Sequence, residues 1–382
     1  MAACNPSTLT VVASRDHPRR LHELDALRGL AALGVVLWHY GSHFQTHPFF
    51  WLGAPFYNAG FLLVDFFFVL SGFVLGAAYW RPGRQDTPRR NILLRIARLY
   101  PLHLVMLVIT AALLYCLRDA AVPASFELGT NDAYHFVLNL LLLNQSGLQQ
   151  DWSFNTPAWS ISSEFIVNVA FLMFIAFRWP MRVGACVMGI AAVVLAWRWQ
   201  GAPLVGPKLL MGSIDLNLAR CVIGFCAGVM LHLALNRFGG RALLSRWRNT
   251  MAVAGPLSLA ALVGFMLFSR RHPPNWHYLA SVAIATACVA LVPFSSPLNR
   301  WLSWRPLVIL GEISYSVYLV HYPLQLILLL VIAHTAINPA SHVTFLTYLT
   351  TTVALAWLTY TIVERPSLAF LQARVKRGQA TT

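Results

Sequence analysis

The chain has 382 residues, 58% of them hydrophobic and only 11% charged. Soluble domains carry about 25% charged residues, so this composition excludes a water-soluble globular protein and points to an integral membrane protein. The formal net charge of +15 would suit a polyanionic partner, but its distribution along the chain follows membrane topology, and no nucleic-acid partner is expected.

The first 25 residues read as a cytoplasmic segment. Their apolar piece, residues 9–13, is too short for a signal-peptide core and basic residues follow it, so the first helix is expected to serve as its own uncleaved insertion signal. Apolar spans are predicted at 26–44, 57–79, 100–117, 158–177, 183–199, 216–235, 251–268, 278–294, 307–332 and 344–363, each close to the ~20 residues that cross a bilayer. The fold class is therefore all-α, a membrane domain of about ten transmembrane helices over 26–366 with a tail over 367–382. With an inner N-terminus, the Arg and Lys residues outside the spans fall on the inner side, save Arg118, Arg198, Lys208, Arg220, Arg270 and Arg271. The positive-inside rule then puts both termini in the cytoplasm of a multi-pass inner-membrane protein.

Span one carries Arg28 and His39. Eleven helical steps return His39 to within about 20° of Arg28, some 16 Å along the axis, so the two share one stripe. An arginine at mid-bilayer costs roughly 2.5 to 3.5 kcal/mol, so that stripe is expected to face protein or a water-filled cleft. Span two holds Asp65 within a phenylalanine run, Phe66 to Phe68, that reads as lipid-facing bulk, and Ser71-Gly72, which reads as a close-packing point.

The loop before span three is densely basic. Arg95 and Arg98, three apart on one helix face with Arg89 and Arg90 behind them, suit multidentate binding of phosphate or anchoring to anionic lipid. The long outer loop 118–156 contains an apolar piece, 134–144, too short to span and expected to be re-entrant or interfacial. Thr156 and Pro157 make a helix start, after which Ser160, Glu164 and Asn168 form a polar stripe. An intramembrane carboxylate is expensive and marks Glu164 as functional.

From 178 to 300 the chain reads as scaffold, with Arg220 expected to pair with Asp215. In span nine, Ser314, Tyr318 and His321 share a face. Glu364-Arg365-Pro366 reads as a structural stop at the inner interface. The six cysteines are scattered without a CxxC pattern, so neither a disulfide framework nor a zinc site is indicated and no metal is expected. By depth, His39, Asp65, Glu164 and His321 form a titratable centre in the outer half, and Arg28, Arg95 and Arg98 a basic inner mouth. A histidine can accept a hydroxyl proton near neutral pH, and a carboxylate can stabilise the resulting imidazolium.

These segments together resemble the acyltransferase-3 family of integral membrane enzymes, which acylate sugars in O-antigen, exopolysaccharide, peptidoglycan and nodulation-factor settings. The match rests on Arg28 to His39, Asp65 to Phe73, Arg95 with Arg98, Trp159 to Glu164, Ile313 to Pro323 and Glu364-Arg365-Pro366, in family order over essentially the whole chain. Phe165 stands where a second acidic residue often follows the WSxSxE pattern. The resemblance implies an acyl-CoA donor, acetyl-CoA in the first instance, with its phosphates on Arg95 and Arg98 helped by Arg28, and a carbohydrate or glycolipid hydroxyl as acceptor from the outer side. It implies His39 as general base, with Glu164 or Asp65 holding it and His321 contacting the acceptor or relaying protons. Trp159, Ser160 and Tyr318 are then substrate-binding candidates. The expected route is one continuous tunnel from the arginines to His39. A proton-coupled transporter using the same acidic and histidine residues is the competing class, but no paired internal repeat or pair of matching broken helices appears.

Overall fold

The computed structural model describes residues 21–80, 88–120, 122–126, 128–149, 151–175, 179–200, 209–210, 214–236, 238–269 and 276–380. Most of the N-terminal segment, the basic residues Arg81, Arg84, Arg178, Lys208, Arg237, Arg270 and Arg271, and Cys4 lie outside these. In chain order the helices are α1 (His22–Phe44), α2 (Phe50–Ala59), α3 (Leu63–Tyr79), α4 (Pro88–Leu117), α5 (Ala133–Leu140), α6 (Trp159–Phe174), α7 (Trp179–Gln200), α8 (Leu216–Asn236), α9 (Gly240–Arg246), α10 (Arg248–Phe268), α11 (Trp276–Leu291), α12 (Ser296–Leu302), α13 (Arg305–Glu312), α14 (Ser314–His334), α15 (His342–Thr359) and α16 (Arg365–Ala380). A two-residue antiparallel pair, Leu209–Leu210 with Ile214–Asp215, precedes α8.

Among the described residues, eight helical segments are long and apolar enough to cross a membrane. Mostly buried α1, with Glu23 and Asp25 in its first turn, adds a central helix of 23 residues. The chain is thus an all-α, multi-pass membrane protein, and most of its spans coincide with the apolar runs of the sequence.

Three spans differ from the simple reading. The second begins at Phe50 and bends through a 3₁₀ turn, Gly60–Leu62, before α3. The run at 307–332 is two helices broken at Ile313, because the Gly311 carbonyl is taken by side chains: Arg28 donates to it from Nε (3.2 Å) and Nη2 (2.6 Å), and Ser314 Oγ at 2.8 Å. The helix itself does not end at Glu364-Arg365-Pro366. A π turn, Tyr360–Glu364, carries α15 directly into α16.

The phenylalanines of α3 correct another expectation. Phe66, Phe68 and Phe73 are core residues rather than lipid-facing bulk, because α3 packs along its length against α8, with α6 and α11 on its flanks. The two backbones touch at Gly72, which meets the Phe225 carbonyl, and Gly228, which meets that of Val69. A Cβ at either position would push these helices apart, so Gly72 is the close-packing point the sequence suggests. The apolar piece of the outer loop is the short α5, with Tyr134 and Val137 exposed and Asn139 buried; the Asn139 carbonyl accepts from His103 Nε2 of α4 at 2.8 Å.

Candidate active site

α1 and α14 run parallel, and their facing polar residues meet as three rungs. Arg28 Nε donates to Ser314 Oγ at 2.8 Å, His39 Nδ1 lies 3.2 Å from His321 Nε2, and His43 Nδ1 lies 2.7 Å from Gln325 Oε1. Arg28 and His39 therefore do share a protein-facing stripe, and α14 is what it faces. Their helical spacing dictates this: residues three or four apart, or seven apart, return to one side of a helix.

At the end of the bundle where α1 begins, a cavity opens between α1, α3, α4, α6 and α14, with about 790 Å³ of space between its walls including the mouth. Arg28, Arg95, Arg98, Ser71, Glu164 and Ser314 supply its polar lining, and Phe67, Leu70, Tyr315 and Tyr318 much of the rest. Asp25 lies 3.8 Å from Arg28 Nη2. Arg95 and Arg98 make no hydrogen bond and no close ion pair among the described residues, so their donors remain available to a ligand. Glu164 Oε1 accepts from Ser71 Oγ at 2.7 Å and Asn168 Nδ2 at 3.3 Å, which fixes one face of the carboxylate while it lines the cavity.

The deep wall of this cavity is Tyr318 with Ser160. Ser160 Oγ donates to the Tyr318 hydroxyl at 2.8 Å, and that hydroxyl donates to the Pro157 carbonyl at 3.0 Å. Beyond it, the Tyr318 and His321 ring centroids are 5.7 Å apart, and those of His321 and His39 4.9 Å. Neither histidine lines the cavity. The expected continuous tunnel is corrected accordingly: this cavity ends at Tyr318, with His321 and then His39 beyond it.

His39 Nδ1 also lies 3.1 Å from the Val35 carbonyl. A carbonyl can only accept, so this contact places the ring proton on Nδ1 and leaves the lone pair on Nε2. On the far side, His43 stacks on Phe126 with centroids 4.8 Å apart, and Ser125 Oγ donates to the His43 carbonyl at 2.6 Å. Ser125 and Phe126 thereby cover the His43 end of the histidine row.

Two expected partners of His39 sit elsewhere. Asp65 Oδ1 accepts from Arg220 Nε at 2.6 Å, both side chains being almost wholly buried at 0% and 3% exposed. Arg220 Nη2 donates to the Phe61 carbonyl at 2.9 Å and its guanidinium lies over the Tyr278 ring at 4.6 Å and the Trp159 ring at 5.9 Å. Arg220 thus pairs with Asp65 and not with Asp215. Asp215 instead accepts from the backbone N–H groups of Asn217 (2.7 Å) and Leu218 (3.3 Å), capping α8. Glu164 likewise faces the cavity and not His39. Trp159 belongs with Arg220, while Arg89, exposed, and Arg90 lie on the first turn of α4 away from the cavity lining.

Reasoning from sequence passed over His43, Gln325 and Tyr315, and took Ser71 only as part of a close-packing point. His43 and Gln325 follow His39 and His321 by four residues each, a spacing that could have revealed the third rung. Ser71 and Tyr315 carry no such signal, because only the packing of α3 and α14 against α6 and α4 turns them inward.

A family model described as "Acyltransferase domain" matches residues 21–361. The chain is 28% identical over 327 residues to "Acyltransferase MdmB" of Streptomyces mycarofaciens, covering 79% of this chain and 78% of that protein. It is 28% identical over 381 residues to "Putative peptidoglycan O-acetyltransferase YrhL" of Bacillus subtilis, covering 92% of this chain but 55% of that protein. To "Peptidoglycan O-acetyltransferase OatA" of Listeria monocytogenes it is 24% identical, over 79% of this chain and 49% of that protein, so it spans about half the length of these last two. No solved structure matches the chain.

Proposed function

From the premise that the chain belongs to the acyltransferase-3 family, we propose that it is an O-acyltransferase of the inner membrane that takes an acyl group, acetyl in the first instance, from cytoplasmic acyl-CoA to a sugar hydroxyl of a glycan or glycolipid. The observation that carries the donor half is the pair Arg95 and Arg98, whose guanidinium groups line the cavity and make no hydrogen bond or close ion pair among the described residues. Two forked cations beside Arg28 match the phosphates of a coenzyme A headgroup in charge and geometry. This end of the bundle is then the cytoplasmic one, in keeping with the positive-inside distribution. The names of YrhL and OatA, given for peptidoglycan O-acetylation, support a carbohydrate acceptor.

The pantetheine arm would run past Ser71 and Glu164 towards Tyr318. Delivery of the thioester to His39 then needs the Tyr318 side chain to swing away from Ser160, which breaks two hydrogen bonds to its hydroxyl. Nε2 of His39 takes the proton of the acceptor hydroxyl as its oxygen attacks the thioester carbonyl. The C–S bond breaks, and the leaving thiolate recovers the proton as coenzyme A. His321, against the protonated Nδ1, steadies the imidazole; Glu164 shapes the cavity and is too differently placed to hold His39 directly.

The test is acyl transfer by purified protein in vesicles loaded with labelled acetyl-CoA, coupled to mass spectrometry of surface glycan from a deletion strain. Cleavage of acyl-CoA, and loss of acetyl groups from one glycan in the deletion strain, are expected; no cleavage, with proton-coupled solute uptake instead, overturns the reading. In a single turnover, label on a His39 peptide identifies an acyl-imidazole intermediate, and its absence at full turnover identifies direct attack.

A further inference from the structure

Glu164 is the one carboxylate among the described residues that line the cavity, and Arg28, Arg95 and Arg98 line it too. A carboxylate beside guanidinium groups ordinarily pairs with one of them. Glu164 does not. Arg28 goes to the Gly311 carbonyl, Ser314 and Asp25, and no ion pair joins Glu164 to any of the three arginines among the described residues. The wall behind the carboxylate holds it back: Ser71 Oγ of α3 and Asn168 Nδ2, one turn along α6, both donate to Oε1. Oε2 accepts no hydrogen bond from a described residue. An ionised carboxylate has about four lone-pair sites, so about half of its accepting capacity is left for whatever enters the cavity.

The hydroxyls of the lining have their protons committed elsewhere. Ser160 donates to Tyr318, Tyr318 to the Pro157 carbonyl, Ser314 to the Gly311 carbonyl and Tyr315 to the Leu99 carbonyl. The cavity therefore offers a ligand cationic donors at Arg95 and Arg98 and one anionic acceptor at Glu164. Ser160 of the deep wall lies one helical turn, about 6 Å, from Glu164 along α6. The molecule that suits this lining has anionic groups at one end and N–H groups along a chain that leads towards Tyr318. An anionic lipid headgroup with hydrocarbon tails satisfies the arginines and leaves the carboxylate unmet.

We propose that Glu164 binds and orients the donor: Oε2 accepts from an amide N–H of the pantetheine arm, while its charge keeps the phosphates at Arg95 and Arg98. The inference rests on the acyl-CoA reading above and adds which way round the donor lies. Charge and hydrogen bonding separate on substitution. If the carboxylate acted by charge alone, removing it would tighten the binding of every anionic ligand. A hydrogen bond to the arm predicts a loss confined to ligands that carry the arm.

Coenzyme A, and adenosine 3′,5′-bisphosphate as a headgroup fragment without the arm, would be titrated by calorimetry into the full chain in nanodiscs, for wild type, Glu164→Gln and Ser71→Ala. Glu164→Gln is expected to bind coenzyme A about tenfold more weakly and the bisphosphate equally or more tightly. Ser71→Ala, which removes one donor that fixes the carboxylate, should show a smaller loss for coenzyme A alone. A coenzyme A analogue methylated at both pantetheine amide nitrogens should bind wild type about tenfold more weakly than coenzyme A, with little further loss in Glu164→Gln, as expected of two partners in one contact. Unchanged or tighter coenzyme A binding by Glu164→Gln overturns the assignment, as do additive losses with the analogue. Equal loss of both natural ligands also overturns it and makes Glu164 a residue that builds the cavity. In each of these cases wild-type binding of coenzyme A leaves the donor reading standing; if wild type binds neither ligand, that reading fails and this inference with it.

Discussion

Nε2 of His321 lies 3.2 Å from Nδ1 of His39, and the ring planes are inclined at 42°. Since the Val35 carbonyl accepts from His39 Nδ1, the ring's lone pair is on Nε2, the atom that the proposed general base would use, and His321 lies against the opposite nitrogen. His39→Gln is expected to lower acyl transfer by about 100-fold or more while free coenzyme A affinity stays unchanged. His321→Asn should cost less, in kcat alone. Transfer at wild-type rate by His39→Gln would remove His39 as the base.

Arg95→Gln and Arg98→Gln are each expected to raise the KM for acyl-CoA by about tenfold or more, since each loses charge-assisted hydrogen bonds to phosphate. The salt dependence of KM should flatten with each charge removed. Titration of KM against ionic strength checks both effects, and an unchanged slope in the double variant would return these arginines to a lipid-anchoring role.

Asp65 and Arg220 form a buried ion pair, so removing one partner leaves an uncompensated charge. Asp65→Asn or Arg220→Met alone should destabilise the fold by about 3 to 5 kcal/mol, whereas the double variant Asp65→Leu with Arg220→Met should recover much of that loss. Thermal unfolding in detergent reads the difference. Recovery of stability without recovery of turnover would show that Asp65 has a chemical task as well.

The Tyr318 side chain separates the cavity from the histidines. Tyr318→Ala should let diethyl pyrocarbonate, applied from the cavity side of sealed vesicles, modify His39 faster than in wild type. Peptide mapping measures this. Equal rates in the two proteins would place the route to His39 elsewhere.

Burial pushes the Asp215 carboxyl, just outside α8, up to about 7, against the N–H groups of Asn217 and Leu218 that favour its charged form. Its ordinary value is about 3.9. Between these values the folded state binds more protons than the unfolded one, so stability from this group is greatest below the unfolded value and falls as pH rises through about 7. The unfolding midpoint of wild type should therefore decline from acid to neutral pH more steeply than that of Asp215→Asn. Parallel slopes would mean that Asp215 is ionised throughout.

Composition and periodicity were enough for the all-α membrane class and for most span positions, because covering some 30 Å of hydrocarbon demands about 20 apolar residues whatever the fold. They were enough, too, for the shared stripe of Arg28 and His39, since helical rotation is a local property of one chain segment. Which residue each buried charge would meet was not local. Asp65 meets Arg220 across 155 residues of sequence, and Glu164 meets Ser71 across 93. The π turn before α16, the break at Ile313 and the Tyr318 wall likewise arise where α1, α4, α14 and α15 crowd together. Sequence sets the depth and facing of each charge along its own helix; only the packing of helices distant in the chain chooses its partner, because a buried charge is stabilised by whatever lies within a few ångströms in space.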